Sequence, residues 1–193
     1  MKNASERGWY DRGYLPHLEL SGRAIGITFR LADSLPKEVI EKFKQTLSEM
    51  SESDAAIKLA RKISAYEDAG MGNCYLRIPE CASLVVNALR HFDGERYRLL
   101  EWCVMPNHVH VLFSLIAGNG FEQVVRSWKN FTARQINKLL GKEGGFWEED
   151  FFDRVIRDQK HLEHARQYIR MNPVKAGLCS TPEQWRWGSA WNG

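Results

Sequence analysis

His108 and His110 stand two residues apart in the apolar run His108 to Leu115, and on a β-strand that spacing puts both imidazoles on one face. Alternate residues of a strand lie about 7 Å apart, so the two rings can close on a single divalent ion or hold a phosphate. Imidazole alone does not choose the metal. A pair of half-buried strand histidines with no chemistry is the plain alternative, and His-x-His by itself does not separate the two.

A second set of reactive side chains lies near the C-terminus. Asp158 can cap a helix from Gln159 to about Met171, which Pro173 is expected to stop because its ring disfavours helical geometry at Asn172. At 100° per residue Leu162, Ala165 and Ile169 fall on one side, while His161, His164, Tyr168 and Asn172 fall on the adjacent one. Tyr168 and Asn172 are spaced i, i+4, so a phenol and an amide can address one point. For His161 and His164 a solvated helix face is the expected reading.

The elements that position these groups follow from pattern. Tyr97 to Val104 and His108 to Leu115 are two strands, and Met105-Pro-Asn between them makes an antiparallel hairpin. Val109, Val111, Phe113 and Leu115 share the packing face; His108, His110, Leu112 and Ser114 share the other. Ala24 to Arg30 has strand composition, and Asp33-Ser34 before Leu35-Pro36 starts a helix. Val39, Ile40, Phe43, Leu47 and Met50, then Ile57, Ala60, Ile63 and Tyr66, recur at helical spacing. Pro79 opens a further helix that ends near Asp93-Gly94. Phe146 to Arg157 reads as a turn and a strand.

After Asn119-Gly120 comes a helix whose expected apolar stripe is Phe121, Val124, Val125, Trp128, Phe131, Ile136 and Leu139. Arg126, Asn130, Arg134 and Lys138 run at i, i+4 along its polar side, with Lys129 beside them. With no acidic residue after Glu122, this stripe suits a nucleic-acid backbone as well as an ordinary solvated face. Arg154 and Lys175 are further candidates for phosphate contact.

The chain's 193 residues, 44% hydrophobic and 11% aromatic, suit one globular domain over 1–193, with an arm at 1–23 and a tail at 179–193. Formal net charge is +3, so any nucleic-acid partner has to be met by local placement of charge. The four cysteines form no Cys-x-x-Cys pair, which excludes a zinc finger and predicts reduced, mostly buried thiols. There is no long apolar run and no apolar leader, so no membrane is expected and a cytoplasmic location is. In the tail, Trp185, Trp187 and Trp191 are expected to dock the segment rather than stack on bases. Pattern alone gives an α+β fold.

Met105-Pro-Asn-His-Val-His-Val-Leu112, then Phe146-Trp, then Tyr168-Ile-Arg-Met-Asn-Pro-Val-Lys-Ala-Gly-Leu178 resembles the HUH single-tyrosine transposases, specifically the REP-associated tyrosine transposases. The resemblance runs from Arg12-Gly-Tyr-Leu-Pro16 to Trp187. It implies a ferredoxin-like HUH palm, an antiparallel sheet with the hairpin central and helices packed against it. It assigns His108, His110 and Asn172 to a divalent ion, Mg2+ or Mn2+, and Tyr168 to the nucleophile. The implied reaction is transesterification of single-stranded DNA through a 5′-phosphotyrosine, on hairpin-forming repetitive palindromes, with no nucleotide cofactor. Within that reading Arg126, Lys129, Arg134, Lys138, Arg154 and Lys175 are the DNA-binding set. A monomer, rather than a dimer, acting at the nucleoid in the cytoplasm completes the expectation.

Two alternatives belong to other classes. A metal-independent phosphoesterase of the paired-histidine type needs two His-x-Ser/Thr motifs, and this chain has one His-x-His. A DNA-binding regulator on the same fold would bind without cleaving.

Overall fold

The computed structural model describes residues 22–36 and 70–193, together with residues 38, 39, 42, 45, 46, 62, 63, 65 and 66. The helical stretch expected from Val39 to Tyr66 lies largely outside the described residues, as does the arm 1–23 apart from Gly22 and Arg23.

Among the described residues four strands form one antiparallel sheet in the order β2-β3-β1-β4: β1 Ala24–Arg30, β2 Tyr97–Val104, β3 His108–Leu115 and β4 Phe152–Val155. The expected α+β class is therefore met. The hairpin is not wholly central, because β1 inserts beside β3 and leaves β2 at the edge. Residues Trp185 to Ser189 explain why an edge is tolerated there. The tail runs along β2, with Val104 N–H donating to Trp187 C=O at 3.0 Å and Ser189 N–H to Trp102 C=O at 3.0 Å. Trp185 Nε1 adds a bond to Val104 C=O at 3.0 Å, so Trp185 and Trp187 dock as expected, while Trp191 is exposed.

Alternation decides what each face holds. Ile25, Ile27 and Phe29 of β1 and Val109, Val111 and Phe113 of β3 enter one core, which α1 (Pro79–His91) and α2 (Phe121–Leu140) cover. Trp128 of α2 sits there with its indole donating to the Tyr97 hydroxyl at 2.8 Å, and that hydroxyl donates to Leu89 C=O at 2.8 Å. The buried polar atoms are thus satisfied by one another.

Among the described residues the opposite face is crossed by one helix, α3 (Gln159–Lys175), which packs Ile169, with Leu162 and Ala165 beside it, onto Leu112, Cys103 and Met105. β3 is consequently buried on both sides, and the histidine-bearing face is not an open one.

Two helix details differ from expectation. Pro173 does not stop α3, which continues to Lys175 with the proline inside its last turn. Only the Ile169 carbonyl forfeits its i+4 donor, Asn172 and Pro173 are both buried, and the end is closed two residues later. There Leu178 N–H bonds Pro173 C=O at 2.9 Å and Gly177 N–H bonds Val174 C=O at 3.0 Å, with Gly177 at φ 68°. On α2 the buried line is Val124, Val125, Trp128, Thr132 and Ile136, whereas Phe131 and Leu139 are exposed. Thr132 is accepted inside because its hydroxyl donates to Trp128 C=O at 2.7 Å and accepts from Trp147 Nε1 at 2.9 Å.

The four cysteines are free thiols, three of them buried. Among the described residues no helix is long and apolar enough to cross a membrane.

Candidate active site at the histidine pair

β3 brings His108 and His110 to the α3 face at the end of the strand that follows Asn107, and both are buried. Their Nε2 atoms stand 3.0 Å apart. Each ring is held by its other nitrogen. Asn107 Nδ2 donates to Met71 C=O at 2.9 Å, which turns Oδ1 toward His108 Nδ1 at 2.8 Å. Since Oδ1 only accepts, the His108 proton sits on Nδ1 and its Nε2 presents a lone pair. His110 Nδ1 lies 2.7 Å from the Thr28 hydroxyl on β1, which can donate or accept.

Burial lowers the pKa of both imidazoles, that of His108 well below 6.5, where the charge of His110 also contributes, and that of His110 to about 4. Both are therefore neutral near pH 7, the state in which imidazole can ligate a cation.

Tyr168 meets this pair edge-on, its ring centroid 5.4 Å from that of His110 at 76°, and remains 39% exposed. One side chain reaches both the buried pair and solvent. Lys175, two turns along α3, holds its ammonium 5.2 Å from the Tyr168 ring centroid. One turn after Tyr168, Asn172 is 1% exposed, and neither its amide oxygen nor its amide nitrogen has a hydrogen-bond partner. A buried amide left unpaired costs about 1–3 kcal/mol unless something binds it.

Among the described residues no three His, Cys, Asp or Glu side chains cluster closely enough to hold a metal ion. A site here has to draw its third protein ligand from a neutral oxygen, and the orphaned amide of Asn172 supplies that type of donor. Two converging neutral imidazoles and an unpaired amide fit a hard divalent ion that keeps positions for phosphate oxygen and water.

The other sequence candidates fall into separate places. Arg154 of β4 is in register with Gly26 of β1, which puts it on the histidine side of the sheet with Lys175. Arg126, Arg134 and Lys138 are exposed on α2, across the sheet from the histidines. Arg126 pairs with Glu122 at 3.9 Å, and Arg134 Nε donates to Asn130 C=O at 3.3 Å. Lys129 is already engaged, its ammonium donating to Glu148 C=O at 2.8 Å and Glu149 C=O at 2.7 Å. It serves as a staple between α2 and the following loop. His161 and His164 keep to the rim of α3, His161 taking Arg157 N–H at 3.3 Å through Nδ1, as a solvated face predicts. Tyr97, the other phenol of the hairpin, is fully buried on the far side of the sheet.

Thr28 and Asn107 were not among the sequence candidates. Asn107 stands at the hairpin turn, and its side-chain role depends on Met71, 36 residues away. Thr28 touches His110 because β1 pairs with β3 in the register Thr28↔His110, which no local pattern encodes.

Comparison with known proteins centres on these residues. Residues 83–172, which take in both histidines, Tyr168 and Asn172, match the family described as Transposase IS200 like. Over 122 residues the chain is 33% identical to a Haemophilus influenzae protein classed as a REP-associated tyrosine transposase, covering 58% of this chain and 68% of that one. It is 27% identical over 89 residues to a REP-associated tyrosine transposase of Escherichia coli K12, covering 46% and 52%. The solved structure of a REP-associated tyrosine transposase bound to a REP hairpin matches with a TM-score of 0.53 over 98% of this chain and 82% of that one, at 19% identity. At that identity the likeness is one of fold.

Proposed function

Because this chain belongs to the REP-associated tyrosine transposases, we propose that it cleaves and rejoins single-stranded, hairpin-forming palindromic DNA with Tyr168 as nucleophile. The Tyr168 oxygen attacks a backbone phosphorus and the bond from phosphorus to the 3′ oxygen breaks. The products are a 5′-phosphotyrosine and a free 3′-hydroxyl, the phenol proton being lost and the 3′ oxygen gaining one. Reversal by a 3′-hydroxyl rejoins strands, and since the ester is conserved no nucleotide cofactor enters.

His108 and His110, through Nε2, and Asn172, through its amide oxygen, would hold Mg2+ or Mn2+. Such an ion supplies polarisation of the phosphate and charge neutralisation in the transition state. Thr28 and Asn107 fix the imidazole orientations. An unperturbed phenol, with a pKa of about 10, is a weak nucleophile at neutral pH, so alignment against the phosphate contributes much of the rate. Lys175 lies where it can face the charge that develops near the phenol oxygen, and Arg154 borders the same face. The strand would run between these cations, and Arg126, Arg134 and Lys138 would meet the hairpin's backbone elsewhere.

The observation that carries the reading is the edge contact of Tyr168 with His110 beside the closely paired Nε2 atoms. It also supports action as a monomer, because one chain brings its own phenol to its own histidines. The DNA partner is drawn from the relative solved with a REP hairpin, and would place the protein at the nucleoid.

A labelled single-stranded hairpin oligonucleotide, incubated with protein and Mg2+ or Mn2+ and run on a denaturing gel, tests the proposal. Wild type should give a covalent species and Tyr168→Phe none, with hairpin affinity retained. Binding by wild type without any adduct would favour the non-cleaving regulator.

A further inference from the structure

Glu101 is 1% exposed, an unusual place for a carboxylate. Strict alternation along β2 from Tyr97 and Leu99, both in the α1–α2 core, would send Glu101 into that core as well. A β-bulge prevents it. Leu99 pairs with Phe113, Leu100 is the extra residue, and Glu101 pairs with Leu112, so Glu101 emerges on the α3 side with Cys103. There it meets Arg170 of α3, with Nη2 3.0 Å from Oε2. Its other oxygen accepts from the hydroxyl of Ser189, which in turn accepts from Trp102 N–H at 3.1 Å.

Arg170 is two residues from Tyr168, with Ile169 buried between them. Each step turns about 100° around the helix. Ile169 therefore points down into the sheet, Arg170 toward β2 and Tyr168 toward β3. The apolar contact resists separation of α3 from the sheet, but being non-directional it resists rolling poorly. The ion pair stands to one side of Ile169 and ties Arg170 to a fixed point on β2, so it opposes rolling. For a group about 6 Å from the helix axis, a roll of about 10° moves the tip by about 1 Å, and a displacement of that size can cost about 100-fold in rate.

We propose that Glu101 and Arg170 are positioning residues for strand transfer: their ion pair, delivered by the β2 bulge and braced by Ser189, sets the roll of α3 and hence the aim of the Tyr168 oxygen. The inference rests on Tyr168 being the nucleophile. It also accounts for the buried carboxylate of Glu101, whose partner Arg170 is half exposed, since polar groups held inside a fold can contribute specificity of arrangement rather than net stability.

The full chain is tested as Glu101→Gln, Arg170→Lys and the double variant E101L/R170M, with the same labelled hairpin oligonucleotide. The double variant removes the ion pair and leaves apolar packing of similar bulk, so it should keep its melting temperature and its hairpin affinity. Its single-turnover rate of adduct formation should fall about 100-fold. Glu101→Gln should fall in the same direction, and Arg170→Lys should recover part of the rate because the charge is kept. In DNA-free protein, backbone amides of α3 should exchange faster in Glu101→Gln than in wild type. Wild-type adduct rates in Glu101→Gln, or unaltered exchange along α3, overturn the assignment. If wild type itself forms no adduct, the nucleophile reading fails and the exchange result alone decides whether the pair holds the helix.

Discussion

Asn107 and His108, adjacent in sequence, are joined side chain to side chain: Asn107 Oδ1 accepts from His108 Nδ1 at 2.8 Å, and the amide is locked in that sense by its bond to Met71 C=O. The imidazole is thereby committed to offering Nε2 to the site. Groups that orient a metal-ligating histidine typically matter about 10–100-fold in metal affinity or activity. Thr28→Val keeps the shape of the corresponding brace on His110 and removes its hydroxyl. Titrating Mn2+ into the adduct assay should show half-maximal activity at about tenfold or more higher Mn2+ in Thr28→Val, with hairpin affinity unchanged. An unshifted titration would mean that the hydroxyl does not serve the site.

Removal of the imidazoles themselves should be more severe. His108→Ala and His110→Ala are each expected to abolish the covalent adduct while hairpin binding, measured by gel shift without divalent ions, persists. Excess chelator should reproduce the loss in wild type. Full adduct yield in chelator contradicts the metal role of the pair.

The cations on the two sides of the sheet make separable predictions. Neutralising Arg154 and Lys175 should reduce the salt slope of single-strand binding by about 0.7 per lost phosphate contact. Neutralising Arg126, Arg134 and Lys138 should reduce that of hairpin binding by about 0.9 per contact on the duplex stem. The sets share no partners, so their effects should add. A triple α2 variant with the wild-type salt slope would return those three residues to an ordinary solvated surface.

Acid should loosen the fold through the histidines. Burial lowers the pKa of His110 from 6.5 to about 4, and that of His108 shifts the same way, so below pH 6.5 the unfolded chain takes up protons that the folded chain refuses. Stability contributed by these groups is constant above that pH and falls as pH drops below it, the His110 contribution levelling off below about 4. A shift of this size corresponds to a loss on the order of 3 kcal/mol. Denaturant midpoints measured from pH 7.5 to 4.5 should fall in wild type and fall less in His110→Ala; parallel curves would contradict the assignment.

Sequence pattern reached the strands and both constellations because each obeys a short period. The parity of His108, Val109 and His110 separates the histidine face from the α1–α2 packing face, and Ile169 and Tyr168 are distinguished by 100° of helix. What pattern missed depends on relations between distant segments. The bulge at Leu100 reverses the side on which Glu101 emerges, and alternation has no means of announcing an inserted residue. Lys129 looks like its neighbours in the basic stripe until the carbonyls of Glu148 and Glu149 arrive to occupy it. Pro173 carries a local stop signal that burial and the closing turn at Gly177 override.

The strip of tail laid along β2 also bears on how the molecule behaves in a crowded solution. A bare edge strand carries a row of unpaired amides and carbonyls able to recruit another sheet. Trp187, Gly188 and Ser189 occupy that row on β2 from Trp102 to Val104, Asp93 takes the Leu99 amide, and among the described residues the opposite border is β4, only four residues long with Asp153 and Arg154 in its middle. Neither margin invites self-association. A chain shortened before Trp185 would lose this protection, and its first symptom should be concentration-dependent aggregation, visible in light scattering before any change in helix content.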